Sequence, residues 1–129
     1  MRILLVEPDQ ILAKVYTAAC LKNNKDAEIV SVSSIEDAIE AADNQQLDLI
    51  ICELLLARHN GVEFLYELRS YTDLQSIPVI ILSWVPEQEF YSTIDAGLLG
   101  INAYLYKPTT TLSHLISVVQ KVTNKAKLR

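Results

Sequence analysis

Apolar residues along this chain fall into two alternating patterns: short unbroken runs, and longer stretches in which they recur every three or four positions. Ile3 to Val6 is a fully apolar run and predicts a first strand. Leu12, Val15, Tyr16, Ala19 and Cys20 then follow helical spacing and predict an amphipathic helix. Glu28-Ile29-Val30-Ser31-Val32 predicts a second strand. Ser33 or Ser34 caps the next helix, whose buried stripe is Ile35, Ala38, Ile39 and Ala42. Leu47 to Cys52 predicts a third strand, and Gly61 to Tyr71 a third helix with Val62, Leu65 and Leu68 inward. Pro78-Val79-Ile80-Ile81-Leu82-Ser83 predicts a fourth strand, its proline at the first residue, where a missing backbone donor is tolerated. Pro86 suits the first turn of a fourth helix running to about Ala96. Ile101 to Tyr106 and Leu112 to Val122 complete the series as a fifth strand and a fifth helix.

Strict alternation of continuous apolar strands with helices predicts an α/β fold: a parallel sheet covered on both faces, with right-handed crossovers. The 129 residues suffice for one domain with one core, so residues 1–129 are expected to form a single domain without repeats or linkers. Half the residues are hydrophobic, a globular composition and not a disordered one. A net charge of −5 argues against bulk electrostatic binding to nucleic acid. The locally basic end, residues 121–129, either complements the carbonyl end of the last helix or forms a basic interaction tail. Cys20 and Cys52 sit inside apolar patterns without metal-like spacing and read as reduced core residues. No apolar run approaches the roughly 18–20 residues of a membrane span. Met1-Arg2 leads directly into the first strand, so no signal peptide is expected and the localisation is read as cytoplasmic.

In sheets of this kind ligands bind beyond the carboxyl ends of the strands, near the point where strand order reverses. Glu7, Glu53, Ser83 and Lys107 all belong to that edge. Each has an ordinary reading when taken alone. Glu53 would cap the following helix, Ser83 would satisfy local backbone groups, and Tyr104 would be a strand-favouring aromatic. Matching positions at four strand ends favour a site instead. His59 and His114 lack a ligand pattern and read as solvated or capping residues. Leu54-Leu55-Leu56 either packs the loop onto the sheet edge or presents a leucine to a partner.

Five motifs in order resemble the receiver domain of bacterial two-component response regulators. They are Ile3-Leu4-Leu5-Val6-Glu7-Pro8-Asp9, Asp48-Leu49-Ile50-Ile51-Cys52-Glu53, Asn60-Gly61-Val62-Glu63-Phe64-Leu65, Pro78-Val79-Ile80-Ile81-Leu82-Ser83 and Ala103-Tyr104-Leu105-Tyr106-Lys107-Pro108. The resemblance covers essentially the whole chain and implies a flavodoxin-like (βα)5 three-layer sandwich with strand order 2-1-3-4-5. In that family an acidic pair after the first strand and an aspartate after the third hold one magnesium ion. The aspartate takes a phosphoryl group from a histidine kinase. A Ser or Thr and a Lys at later strand ends contact the phosphoryl oxygens, and an aromatic on the fifth strand reorients. Carried over by motif, Glu53 stands at the phosphoacceptor position and Glu7 at the first acid position. Ser83 is the hydroxyl, Lys107 the lysine and Tyr104 the switch position.

Two departures weaken that chemistry. Pro8 stands where the family has its second acid, and its side chain offers no oxygen to a cation that demands several in near-octahedral array. Asp9 is next in line, but one residue along changes both direction and distance. No cofactor is therefore expected, and magnesium stays open only as a weakly held ion on a degenerate Glu7, Asp9 and Glu53 set. Glu53 carries its carboxylate one methylene farther out than an aspartate, and in-line phosphoryl transfer depends on positioning within about an ångström. That carboxylate is expected to reach toward Lys107 and Ser83, roughly where the family's phosphoryl group sits. Trp84 replaces a usual small residue and reads either as packing or as a gate over the site. Ala57 replaces a common proline, and the stretch around Gly97-Leu98-Leu99-Gly100 is slightly longer than usual.

The expected function is thus a non-enzymatic pseudo-receiver that signals through protein–protein contacts and is not phosphorylated. Its partners would be a histidine kinase or a downstream effector, with neither nucleic acid nor membrane. A homodimer through the fourth helix, fifth strand and last helix is a further expectation, since Leu98, Leu99, Ile101 and Tyr106 add apolar character there. Two alternatives stay open: a magnesium-dependent phosphoreceiver of a histidine kinase phosphorelay, and a small flavodoxin-like ligand binder. The latter fits poorly, because no glycine lies in a phosphate-cradling loop after the first strand.

Overall fold

Five short strands, β1 (Arg2–Val6), β2 (Glu28–Val32), β3 (Leu49–Cys52), β4 (Val79–Ser83) and β5 (Ala103–Tyr106), pair in parallel. Their order is β2-β1-β3-β4-β5. The computed structural model describes residues 1–93 and 96–127. Because strand side chains alternate between faces, the apolar runs feed two separate cores. Leu4, Val6, Ile50, Cys52 and Ile81 face α2 (Ile35–Asn44), α3 (Gly61–Ser70), α4 (Glu87–Thr93) and α5 (Ala96–Leu99). Ile3, Leu5, Leu49, Ile51 and Ile80 face α1 (Gln10–Asn23) and α6 (Leu112–Lys127). These are the two faces of a three-layer sandwich. No helix among the described residues is long and apolar enough to cross a membrane.

Caps start the helices. Asp9 accepts from the Ile11 and Leu12 amides, Ser34 (not Ser33) from Asp37, and Asn60 from Val62. Gly61 is required at the start of α3. A Cβ there would stand 2.7 Å from the Glu53 carbonyl oxygen and 2.9 Å from the Leu54 Cα, both immovable backbone.

Several boundaries differ from the sequence reading. β3 begins at Leu49, because the Asp48 carboxylate and amide are taken by the Arg2 backbone, while Leu47 packs into the core. β5 begins at Ala103, since Asn102 exchanges side-chain and backbone bonds with Val79 at the strand entrance. The last helix runs on to Lys127, with neither glycine nor proline to stop it; Leu128 and Arg129 lie outside the described residues. The fourth predicted helix becomes α4 and α5, with Ile94 and Asp95 outside the described residues. The longer stretch thus carries a helical turn ending at fully buried Leu99, and Gly100 at φ +60° closes it.

Helix faces differ too. In α1 the buried residues are Ala13, Tyr16 and Cys20, whereas Val15 is 37% exposed and Ile11 75%. In α3 Phe64 joins Leu65 and Leu68 in the core, with Val62 only half-buried. In α2 Ala41 is buried and Ile39 only half-buried.

Arg69, in the last turn of α3, ties the far side together. Its guanidinium donates to the carbonyls of Leu74, Gln75 and Ile77 in the loop before β4, and to those of Leu99 and Gly100 after α5.

Candidate functional site

Val6 and Cys52 are register partners, so the residues that follow them leave the sheet side by side at the β1–β3 switch point. Those residues are Glu7 and Glu53, each 2% exposed. Lys107, at the end of β5, reaches across to both: its Nζ lies 2.6 Å from Glu7 Oε1 and 2.8 Å from Glu53 Oε1. Two buried carboxylates therefore share one buried ammonium.

The remaining acceptor positions are also filled. Glu7 Oε2 accepts from the Asp9 amide at 3.1 Å. Glu53 Oε1 accepts a second bond from the Trp84 amide at 3.2 Å, and Oε2 takes the Leu54 and Leu55 amides at 2.6 and 3.1 Å. Successive backbone amides of this kind form an anion-binding nest. Here the anion is the protein's own side chain. Among the described residues no buried side-chain polar atom lacks a partner.

The expected contact between Glu53 and Ser83 is corrected. Ser83 Oγ accepts from the Val85 amide at 3.0 Å, so its hydroxyl serves the turn after β4. Glu53, with one more rotatable bond than aspartate, finds the Trp84 amide instead. Tyr104 donates to the Val85 carbonyl at 2.6 Å and packs beside Phe90 and Tyr91, which holds its ring inward. Trp84 is 50% exposed, and Lys107 Nζ lies 5.4 Å from its ring centroid, within cation–π range. It is neither a core residue nor a closed lid; its ring stands beside the ammonium.

The donor set does not fit a magnesium ion. Pro8 has no oxygen to give, and the Asp9 carboxylate caps α1 rather than facing Glu7 and Glu53. Glu7 and Glu53 each already hold the Lys107 ammonium, whose single positive charge offsets one of their two negative charges. Among the described residues no three His, Cys, Asp or Glu side chains are grouped to hold a metal.

His59 places its ring nitrogens 3.1 Å from Glu36 and from Glu63, tying its loop to α2 and α3. His114 is exposed, with its amide bonded to Thr111. Of the three leucines, Leu54 is buried, Leu56 half-buried and Leu55 exposed. Sequence reasoning missed the Glu7–Lys107 bond, although adjacency of the first and third strands in the implied order was a signal for it. It also missed Arg69, for which the sequence offers none.

Burial alone would lower the Lys107 pKa, but the hydrogen bonds and charges of Glu53 and Glu7 outweigh it and raise the ammonium above its ordinary 10.5. A raised folded pKa gives stability that is whole below the unfolded value and lost as pH climbs through the folded one. Burial, which opposes the charge on Lys107, opposes the thiolate and phenolate too: it pushes the free thiol of Cys20 up from 9.0 to about 11 and raises Cys52 and Tyr104 as well, so these groups lose stability in the same direction as pH climbs. Stability is therefore expected to be flat from pH 7 to near 9 and to fall steadily toward 11. Urea midpoints across that range check this, and a midpoint unchanged at pH 11 would contradict it.

The model of the response regulator receiver domain matches residues 3–120. The response regulator protein VraR of Staphylococcus saprophyticus is 29% identical over 126 residues, 96% of this chain and 57% of that protein. The chain thus spans just over half the length of the curated relatives it matches. The phosphorylated cyanobacterial phytochrome response regulator RcpA is 28% identical with a TM-score of 0.74, covering 94% of this chain and 89% of that one. The receiver domain of the sensor histidine kinase PA1611 from Pseudomonas aeruginosa PAO1, with magnesium coordinated in its active-site cleft, is 24% identical. Its TM-score is 0.81, over 95% of this chain and 97% of that one.

Proposed function

The chain belongs to the response regulator receiver domain family, and from that premise we propose that it is a pseudo-receiver, a signalling module that is not phosphorylated and has no catalytic step of its own. One observation carries this reading: the Glu53 carboxylate is saturated by Lys107 Nζ and the amides of Trp84, Leu54 and Leu55. Phosphoryl transfer needs a carboxylate oxygen free to attack in line. It also needs donors free to take the equatorial oxygens and a cation to neutralise the charge that develops. Here Glu53 occupies the donors itself, and Pro8 and Asp9 leave the cation without a second acid. RcpA in its phosphorylated form and the PA1611 receiver with its magnesium represent the chemistry from which this chain departs.

Such a module works by being bound, with a histidine kinase or a downstream effector as partner, in the cytoplasm. Tyr104, pinned to the Val85 carbonyl, supports one standing conformation for the face built from α4, β5 and α6. Tyr91 of α4 is exposed and offers that face an apolar contact, including with a second copy, whereas Leu99, expected to add to it, is fully buried.

The test is incubation with magnesium and acetyl phosphate, and separately with beryllofluoride, followed by intact mass and by the fluorescence of Trp84, the sole tryptophan. The mass is expected to stay unchanged and the fluorescence flat. A stoichiometric phospho-adduct, or a saturable fluorescence response, would overturn the proposal. The double variant Glu53→Asp, Pro8→Asp is expected to gain the response.

A further inference from the structure

We infer that the cavity at the amino-terminal edge of the sheet, between α6 and the loops entering β4 and β5, binds a nucleotide. It encloses about 850 Å³, a size usual for small-molecule sites, and lies at the edge opposite Glu7 and Glu53. Pro78, Ile101 and Val122 give it an apolar wall. Arg69, Lys121 and Lys125 also line it, and neither Asp nor Glu does. Three positive charges therefore border one space, on a chain whose net charge is −5.

None of the three is answered by an acid within the protein. Arg69 is half-buried, yet its guanidinium meets only carbonyl groups. Burial lowers its pKa, with no neighbouring carboxylate acting against that shift. Lys121 and Lys125 are exposed, and neither is in an ion pair among the described residues. One turn apart on α6, they share a face and repel each other. The carbonyl end of a helix favours cations only within its last turn, and Lys121 stands more than a turn before Lys127. Complementing the helix end thus leaves this lysine unexplained, and a ligand in the cavity explains it.

The lining selects the chemistry of the occupant. A ligand that answers an arginine and two lysines is a polyanion, and phosphate suits both kinds of donor. The apolar wall calls for a flat, weakly polar body on the same molecule. Asn102 lines the cavity as well; its Oδ1 is held by the Val79 amide, which leaves its NH2 without a partner among the described residues. That group is a fixed donor for an acceptor on a base edge. Phosphates joined to a base make a nucleotide. Held there, it ties two loops to α6 and stabilises the folded chain by mass action, away from Glu53 and Tyr104. The inference stands whether or not Glu53 is phosphorylated.

The full chain, labelled with 15N, is titrated in EDTA with ATP and with GTP, and in parallel with pyrophosphate and adenosine. At least one nucleotide is expected to shift the amides of Ser76, Asn102 and Lys125 saturably and to raise the thermal unfolding midpoint. The amides of Leu54, Leu55 and Trp84 should stay unmoved. Pyrophosphate and adenosine are each expected to bind at least tenfold more weakly. Lys121→Glu and Lys125→Glu, at exposed positions that leave the fold intact, are each expected to weaken nucleotide binding at least tenfold. Absence of saturable shifts with both nucleotides would overturn the inference, as would shifts centred on Lys14 and Lys22 or on the loop after Glu53. Pyrophosphate binding as tightly as the nucleotide would assign the cavity to free phosphate and overturn it too. Unchanged affinity in both variants would do the same.

Discussion

Lys107→Met is expected to lower the unfolding free energy at pH 7 by about 3–5 kcal/mol, because it leaves buried carboxylates without their counter-ion. Methionine keeps the length and apolar stem of the lysine, so little packing is lost. What goes is the one cation within 2.8 Å of both Glu7 and Glu53. The intact triad owes little net stability to attraction, since desolvation offsets it, and the loss measures the cost of stranding two like charges. Small domains hold only about 5–15 kcal/mol in total, so the variant should stand close to unfolding. Urea denaturation reads the effect. Adding Glu7→Gln and Glu53→Gln to Lys107→Met should restore most of the loss, and acidifying the single variant toward the carboxylate range should restore part of it. A loss below about 1 kcal/mol would mean that water reaches the two acids and solvates them.

Arg69→Leu is expected to cost about 3 kcal/mol, from stranded carbonyls and lost charge-assisted bonds. Leucine replaces much of the stem, so the deficit isolates the guanidinium. Its acceptors come from two loops: Leu74, Gln75 and Ile77 before β4, and Leu99 and Gly100 after α5. Five separate bonds do not sum, because carbonyls near the surface turn to water when the arginine goes. Arg69→Lys should recover only a minor part, since one ammonium cannot span two loops as a planar fork does. Hydrogen exchange should quicken around Ile77 and Leu99, while amides around Glu7 and Glu53 keep their protection. Uniform quickening across the sheet would point to global destabilisation and contradict a local clasp.

The parallel sheet and its carboxyl edge were legible in the chain because strands buried on both faces leave unbroken apolar runs, whereas the strand order was implied only by the resemblance to receiver domains. A polar residue ending such a run has only one place to go. That logic sent Glu7, Glu53, Ser83 and Lys107 to one edge, where the structure has them. It could not orient their side chains. Ser83 bonds its own turn and Asp9 caps α1, because short polar side chains find backbone amides two or three residues away before they find a distant partner. The facing of α1 was illegible for a different reason: the helix is apolar on both sides, so periodicity offers Val15 to the core as readily as Ala13. Arg69 looks in sequence like any solvated residue in a last helical turn. Its role depends on two loops whose carbonyls converge only after the chain has folded.

The Lys107 ammonium between Glu7 and Glu53 is covalently part of the chain, so it cannot be diluted, chelated or exchanged for another ion. For a domain fixed in this way no small molecule sets the fraction in the competent state. On the proposed function, every copy made would already be in that state, and the output would scale with how many copies are present. The quantity left for a cell to adjust is abundance, through synthesis and turnover, and overexpression alone would then act as the stimulus.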